Sequence, residues 1–199
     1  MRLLLVRHGE TAWNAEHRLQ GDHDVPLSDT GRAQARALAP LVAAHAPAHV
    51  VVSPLARARD TAELLGHPGG LCDPRWQEAH LGEWTGRRRD ELSASAYGKW
   101  RVGCHTPPGA ESFAQLTARV AAAVDALRPP APHGGPGSTL VVTHGGPIRA
   151  LCHHLLGLSP AMVVPVGPAS LTAIEIGDGP PRLRLYNLTP TVADADPTD

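Results

Sequence analysis

The sequence predicts an α/β fold of three layers, α/β/α, with a mostly parallel central sheet between helices. Three observations carry that prediction. Short apolar runs of strand length alternate along the chain with longer amphipathic stretches of helical period. The runs themselves, Leu3 to Val6, Val50 to Val52 and Leu140 to Val142, are apolar without alternation, as in strands buried on both faces. Three of them end in conspicuous polar residues: Arg7-His8, Ser53 with Arg57 soon after, and Thr143-His144. In such sheets ligands bind outside the carboxyl ends of the strands, so these segments are expected to converge on one pocket.

The elements follow in order. Arg2 to Val6 reads as the first strand. Gly31 to Ala44 is Ala-rich and helical, with Ser28, Asp29 or Thr30 as cap and Pro40 as a candidate kink. His49 to Val52 is the second strand. Ser53-Pro54 then opens a helix to about Leu65, with Ser as N-cap, Pro at the first helical position and Gly66 as stop. Phe113, Leu116, Val120, Val124 and Leu127 step by three or four and predict a helix from about Ser112 to Leu127. Thr139 to Thr143 is a strand. Pro147 to Leu156 is a helix with Ile148, Leu151 and Leu155 on one face. Ser170 to Ile176 and Arg182 to Leu188 are two late strands, and whether they pair as a hairpin across GDGPP is left open. Pro129 to Gly137 (PPAPHGGPG) reads as a loop by composition, and the tail after Pro190 is polar and acidic. One domain is expected over 1–190, with a lid-like insertion at about 87–110 and a polar tail at 191–199.

A chain of 199 residues buries ~70% of its unfolded surface without staples. Eighteen Lys+Arg stand against 19 Asp+Glu, a net charge of -1. That balance argues against an electrostatically driven nucleic-acid or membrane partner. The three cysteines, Cys72, Cys104 and Cys152, have neither disulfide-framework nor zinc-site spacing. The first apolar run is too short for a signal-peptide core, and no apolar run reaches membrane-span length. A cytoplasmic location is the expectation.

Four segments carry the chemistry. In LLLVRHGETAWN (Leu3 to Asn14) a strand delivers Arg and His into a glycine turn. In SPLARARDTAE (Ser53 to Glu63), Arg57 lies in the first turn of a helix, where N–H groups and the dipole favour an anion and the guanidinium fork matches two phosphate oxygens. Arg59 and Asp60 sit elsewhere on that helix and read as solvated or ion-paired. VVTHGGPIRA (Val141 to Ala150) mirrors the first segment: strand, His, glycines, helix start. WQEAHLGEWTG (Trp76 to Gly86) offers Glu78, with Glu83 and Asp73 as competing acids.

Together these residues resemble the histidine phosphatase superfamily, the phosphoglycerate mutase-like family, from Met1 to about Leu188. Arg7-His8-Gly9-Glu10-Thr11 is similar to the family signature, with Asn14 and Gln20-Gly21 following at its spacing. Asp24-x-Pro26-Leu27-Ser28-x-x-Gly31, Ser53-Pro54-Leu55-x-Arg57-Ala58-x-x-Thr61-Ala62 and Glu78-x-x-x-Gly82-x-Trp84-x-Gly86 resemble its next blocks. Pro107-Pro108-Gly109-x-Glu111-Ser112 and Thr143-His144-Gly145-Gly146 complete the set. One departure is Thr85, where many relatives carry Glu, which leaves the catalytic set intact and substrate preference open.

The resemblance implies a mechanism. His8 is the nucleophile that forms a phosphohistidine. Its other ring nitrogen is held by a backbone carbonyl, and Arg7 and Arg57 disfavour its protonation. His144 stabilises the phosphoryl group in transit. Glu78 donates a proton to the leaving oxygen, since a carboxyl beside a phosphate dianion has its neutral form favoured, and then activates water. The substrate-binding set is Arg7, Asn14, Gln20, Gly21, Arg57, His144 and Gly145, with no metal and no cofactor. The remaining histidines show no zinc-like spacing, and His153-His154 reads as an ordinary helix pair, one of which could face the site.

Family mutases carry a longer insert between the acid and the second His than this chain has, so a phosphatase is expected. The alternatives are a cofactor-dependent phosphoglycerate mutase and a non-catalytic phospho-ligand-binding module. The expected substrate is a small phosphorylated metabolite, with broad specificity and no nucleic-acid or membrane partner; a homodimer is left open. Arg87, Arg88, Arg89, Tyr97, Lys99, Trp100 and Arg101 are either a cationic rim at the pocket mouth or a solvated helix face.

Overall fold

The computed structural model describes residues 1–127 and 137–190. The tail read at 191–199, and all but Gly137 of the loop read at Pro129 to Gly137, lie outside the described residues. The elements are β1 (Arg2–Arg7), α1 (Ala12–Ala15), α2 (Asp29–Ala43), β2 (His49–Val52), α3 (Ala56–Leu64), β3 (Leu71–Cys72), α4 (Ala94–Arg101), α5 (Phe113–Leu127), β4 (Ser138–Thr143), α6 (Gly145–Leu156), β5 (Leu171–Glu175) and β6 (Arg182–Leu188). Across the sheet the strands run β3-β2-β4-β1-β5-β6.

Pleat alternation sorts the apolar runs into two cores. Leu3, Leu5, Val51, Val141 and Ile174 face one side, with Leu116, Val120 and Val124 of α5 and Ile148 and Leu151 of α6. Leu4, Val6, Val52, Leu140 and Val142 face the other, with Leu38 and Val42 of α2 and Ala58 and Ala62 of α3. The expected three layers are therefore present. Leu3, Leu4, Leu5 and Val6 are fully buried, and each such side chain contributes ~1.5–3 kcal/mol of transfer free energy.

Register sets the site. β1 and β2 both pair with β4 in parallel, with Arg7 opposite Thr143 and Val52 opposite Val142. His8, Ser53 and His144 thus leave the sheet in one row. β5 pairs antiparallel with β1, and β6 antiparallel with β5. The two late strands are a hairpin, and β5 is a reversed strand in an otherwise parallel frame. Because it runs the other way, the chain that leads into β5 reaches the same end of the sheet as His8. There Ser170 O accepts from Arg7 N at 3.2 Å, and Ala169 N donates to His8 O at 3.0 Å.

Several expectations shift. Ser28 is the cap of α2, accepting from Gly31 N at 3.0 Å, and the helix continues through Pro40 to Ala43. The helix expected from Ser53-Pro54, α3, begins at Ala56, not at Pro54. Its cap comes from a distance: both carboxylate oxygens of Asp24 accept from Ala56 N at 2.9 Å. That frees Ser53 for another task. The last helix starts at Gly145, with His144 itself at the N-cap position. The crossing of the His8 loop over the start of α2 explains Gly31: a Cβ there would lie 2.0 Å from Glu10 O. No helix among the described residues is long and apolar enough to cross a membrane.

Candidate active site

The three strand ends do meet. His8 is 3% exposed, and Arg57 and His144 are fully buried. The His8 and His144 rings lie 5.0 Å apart, tilted by 59°. His8 Nδ1 is 2.7 Å from Gly9 O, a donor contact that leaves Nε2 with its lone pair. Arg57 Nε points between the two rings, 3.3 Å from His8 Nε2 and 3.3 Å from His144 Nδ1. As Nε is a donor, both ring nitrogens accept. His144 therefore carries its proton on Nε2, which lies 2.7 Å from Ser53 Oγ.

Arg57 is fixed from behind. Its Nη1 donates to His23 O and its Nη2 to Gly21 O, each at 2.6 Å. Gly21, read as substrate-binding, lines the pocket and also supplies this carbonyl. Burial lowers the Arg57 guanidinium to about 10, with the Glu78 and Asp24 charges opposing, so it remains cationic at neutral pH. Thr61, on the buried face of α3, accepts from Gly9 N at 3.1 Å and donates to Arg57 O at 2.7 Å. It ties the His8 and Arg57 segments together. Arg7 is buried at the end of β1 and donates to Val166 O in the chain leading to β5.

Asn14 and Gln20 both line the pocket. Asn14 Oδ1 accepts from Thr11 N and Oγ1, each at 3.2 Å, in a capping box. That orientation turns the amide NH2 into the donor left for a ligand. Gln20 Oε1 is buried with no hydrogen-bond partner, a group that a ligand or water would satisfy. Gly145 opens α6 beside the Arg7 guanidinium.

Of the three acids, Glu78 faces the pocket. Its Oε1 accepts from Ala79 N at 2.8 Å and its Oε2 from Gly146 N at 3.0 Å. A Cβ at Gly146 would lie 2.0 Å from Oε1, so the second glycine of Thr143-His144-Gly145-Gly146 is needed for this approach. Asp73 instead holds Arg75, and Glu83 does not line the pocket.

The same cavity extends past these groups, with about 1140 Å³ of empty space that includes its open mouth. Tyr97, Trp100 and Arg101 of α4 wall it, with Phe113, Arg149 and Tyr186. The Arg149 guanidinium lies 5.4 Å from the Trp100 ring centroid and 5.3 Å from that of Phe113. Arg101 has no acidic partner among the described residues. Of the two readings of residues 87–101, the cationic rim holds only in part: Arg87 turns to Glu91, Arg88 to Asp90, and Arg89 onto the Tyr97 ring. His153 packs on Phe113, away from the cavity. Sequence reading missed Phe113, Arg149 and the 163–166 segment because reversed β5 brings the last of these in from outside any motif.

Burial holds His8 well below the ordinary imidazole range, with the Arg57 and Arg7 charges adding and the Gly9 carbonyl opposing. Burial does the same to His144, helped by Arg57, His8, Arg7 and Arg119. Both are neutral and ready at pH 7. A stability consequence follows from the sign. Between about pH 6.5 and the lowered folded values, the unfolded chain takes up protons on these histidines and the folded chain does not. Unfolding free energy is expected to fall by up to about 1.4 kcal/mol per pH unit per histidine as pH drops below about 6.5. Urea midpoints at pH 7.5, 6.5 and 5.5 measure it. An unchanged pH slope in His144→Asn would show that His144 does not contribute.

The family model of the histidine phosphatase superfamily (branch 1) matches residues 3–189. A glucosyl-3-phosphoglycerate phosphatase of Mycolicibacterium vanbaalenii is 41% identical over 168 residues, covering 79% of this chain and 75% of the relative. A probable phosphoglycerate mutase GpmB of Photorhabdus laumondii is 38% identical over 167 residues, covering 79% and 76%. Among solved structures, the mycobacterial glucosyl-3-phosphoglycerate phosphatase complexed with VO3 superposes with a TM-score of 0.86 at 36% identity, covering 94% of this chain and 98% of that one.

Proposed function

The chain belongs to the histidine phosphatase superfamily, and from that membership we propose that it is a metal-independent phosphomonoester hydrolase acting through a phosphohistidine on small phosphorylated metabolites. The observation that carries this reading is the His8 ring, tied at Nδ1 to Gly9 O and presenting Nε2 to a buried guanidinium. Nε2 attacks phosphorus in line as the bond to the leaving oxygen breaks. Arg7, Arg57, Asn14 and His144 hold the equatorial oxygens and offset their charge, which is most of the protein's work in phosphoryl transfer. Glu78 gives its proton to the leaving oxygen. It then takes one from water, whose oxygen attacks phosphorus, breaks the P–N bond and releases phosphate and neutral His8.

The outer chamber supports a finer reading. Arg101 and Arg149 are cations beyond the phosphate end, set among the flat faces of Tyr97, Trp100 and Phe113. They suit a leaving group with a carboxylate and a ring, the chemistry named for the mycobacterial relatives. The open chamber also suits several such metabolites. The test is phosphate release, with EDTA present, from sugar phosphates, nucleotides and phosphorylated sugar acids, beside conversion of 3-phosphoglycerate to 2-phosphoglycerate with bisphosphate added. Release without isomerisation is expected. Isomerisation without release would make it a mutase, as the GpmB relatives are named. Binding without either would make it a phospho-ligand-binding module.

Glu78→Gln checks the proton donor. It is expected to lower kcat/KM for an alkyl phosphomonoester by about 10²-fold and to leave p-nitrophenyl phosphate nearly unchanged, since p-nitrophenolate departs unprotonated. Because kcat/KM covers steps only through phosphoenzyme formation, this isolates donation from water activation. Equal losses on both esters would remove Glu78 from that role.

A further inference from the structure

The loop that carries Glu78 has no regular hydrogen-bonded element across residues 77–81, yet its carboxylate must be placed to a fraction of an ångström. One ion pair, whose Glu111 also lines the cavity, grips it from both sides. Arg119, in the middle of α5, forms a two-pronged contact with Glu111: Nε to Oε1 at 2.9 Å and Nη2 to Oε2 at 2.6 Å. Its remaining Nη1 donates to Arg75 O at 2.9 Å and Gln77 O at 3.0 Å, just before Glu78. Glu111 closes the other side, its backbone N donating to His80 O at 2.8 Å. Between these, Thr143 Oγ1 donates to Trp76 O at 2.6 Å. The carbonyls of 75, 76, 77 and 80 are all held, and the side chain that this leaves to be aimed is that of Glu78.

We propose that Arg119 and Glu111 are a positioning pair for the proton donor, acting through the backbone on either side of Glu78. The proposal rests on the reading of Glu78 as that donor. Stability alone is a weak reason for the pair. Its side chains are 24% and 18% exposed, and desolvation offsets most of what such a largely buried ion pair gains. Its geometry is better suited to fixing a position. Only a planar guanidinium reaches a carboxylate by two N–H groups and two carbonyls by a third nitrogen at once.

The test is a set of double-mutant cycles read by leaving group. Arg119→Met is expected to lower kcat/KM for an alkyl phosphomonoester roughly tenfold, a part of what a full 1 Å misplacement costs, and to leave p-nitrophenyl phosphate nearly unchanged. Arg119→Lys, which keeps the charge without the fork, is expected to fall between. In a Glu78→Gln background, Arg119→Met is expected to add no further leaving-group dependence. If Arg119→Met does not fold, Glu111→Gln carries the same comparison. A loss equal for both esters, or one fully additive with Glu78→Gln, would reduce the pair to a structural tie and overturn the proposal. A Glu78→Gln enzyme with no leaving-group dependence would overturn the donor assignment and the clamp with it. A leaving-group-dependent Glu78→Gln beside a leaving-group-independent Arg119→Met overturns the clamp alone.

Discussion

His8→Asn is expected to lower turnover by about 10⁴-fold or more, the scale of losing a nucleophile from an otherwise intact site. It is also expected to remove the covalent phosphoenzyme that a wild-type sample, quenched in base after mixing with labelled substrate, retains on the protein. Asn is the informative replacement. It is close in size and keeps an N–H that can reach Gly9 O, the partner of His8 Nδ1, while removing Nε2, the proposed nucleophile. Substrate should still bind, because Arg7, Arg57, Asn14 and His144 remain. Loss of turnover with retained phosphate affinity would separate chemistry from binding. A variant with a tenth of wild-type activity, or one that still takes up label, would mean that another group attacks phosphorus.

Arg57→Met is expected to cost about 10⁴-fold in kcat/KM, within the range of an arginine that stabilises a phosphoryl transition state. Two effects combine. The guanidinium is removed from beside both histidines, where its Nε stands 3.3 Å from each. The carbonyls of Gly21 and His23 also lose their donor, so the loop that brings Gln20 to the pocket is no longer held. Arg57→Lys should recover little, because an ammonium cannot reach both carbonyls and both rings. A signature in pH accompanies the loss. Burial remains in the Met variant, but the largest charge opposing protonation of His8 and His144 is gone. The acid limb of kcat/KM should move to higher pH, making the deficit larger at pH 6 than at pH 8. A uniform deficit across that range would show that Arg57 does not set the histidines' protonation. Recovery by Lys to within about tenfold of wild type would show that charge alone suffices.

The buried strands were legible because burial on two faces writes itself as an unbroken apolar run, as in Leu3 to Val6. Strand direction has no such local mark, so the reversal of β5 appears only in the pairing. β3 is two exposed residues and α1 four, too short for any period to register. Ser53-Pro54 shows how a local rule is overridden. The pair has the form of a helix start, but Asp24 supplies the cap from another loop, and Ser53 turns to His144. The site was legible where charged residues end apolar strands or begin a helix. Its supports were not. Thr61 sits among the charged residues of α3, Thr143 ends a strand and Arg119 lies within an amphipathic helix, and the meaning of each lies in long-range contacts. A polar residue on the buried face of a helix, such as Thr61 beside Ala58 and Ala62, was the available hint.

The place of β4 between β1 and β2 also governs how the molecule comes into being. β1 and β2 do not touch each other. Each waits for Ser138–Thr143, made long after both, to fill the slot between them. A ribosome adds about 5–20 residues per second, so two apolar strands stay without their shared partner for seconds. Pairing across such a separation also makes folding slow once the chain is complete. His8 and Arg57 meet His144 only when the central strand arrives, so an unfinished chain has no active site to misuse.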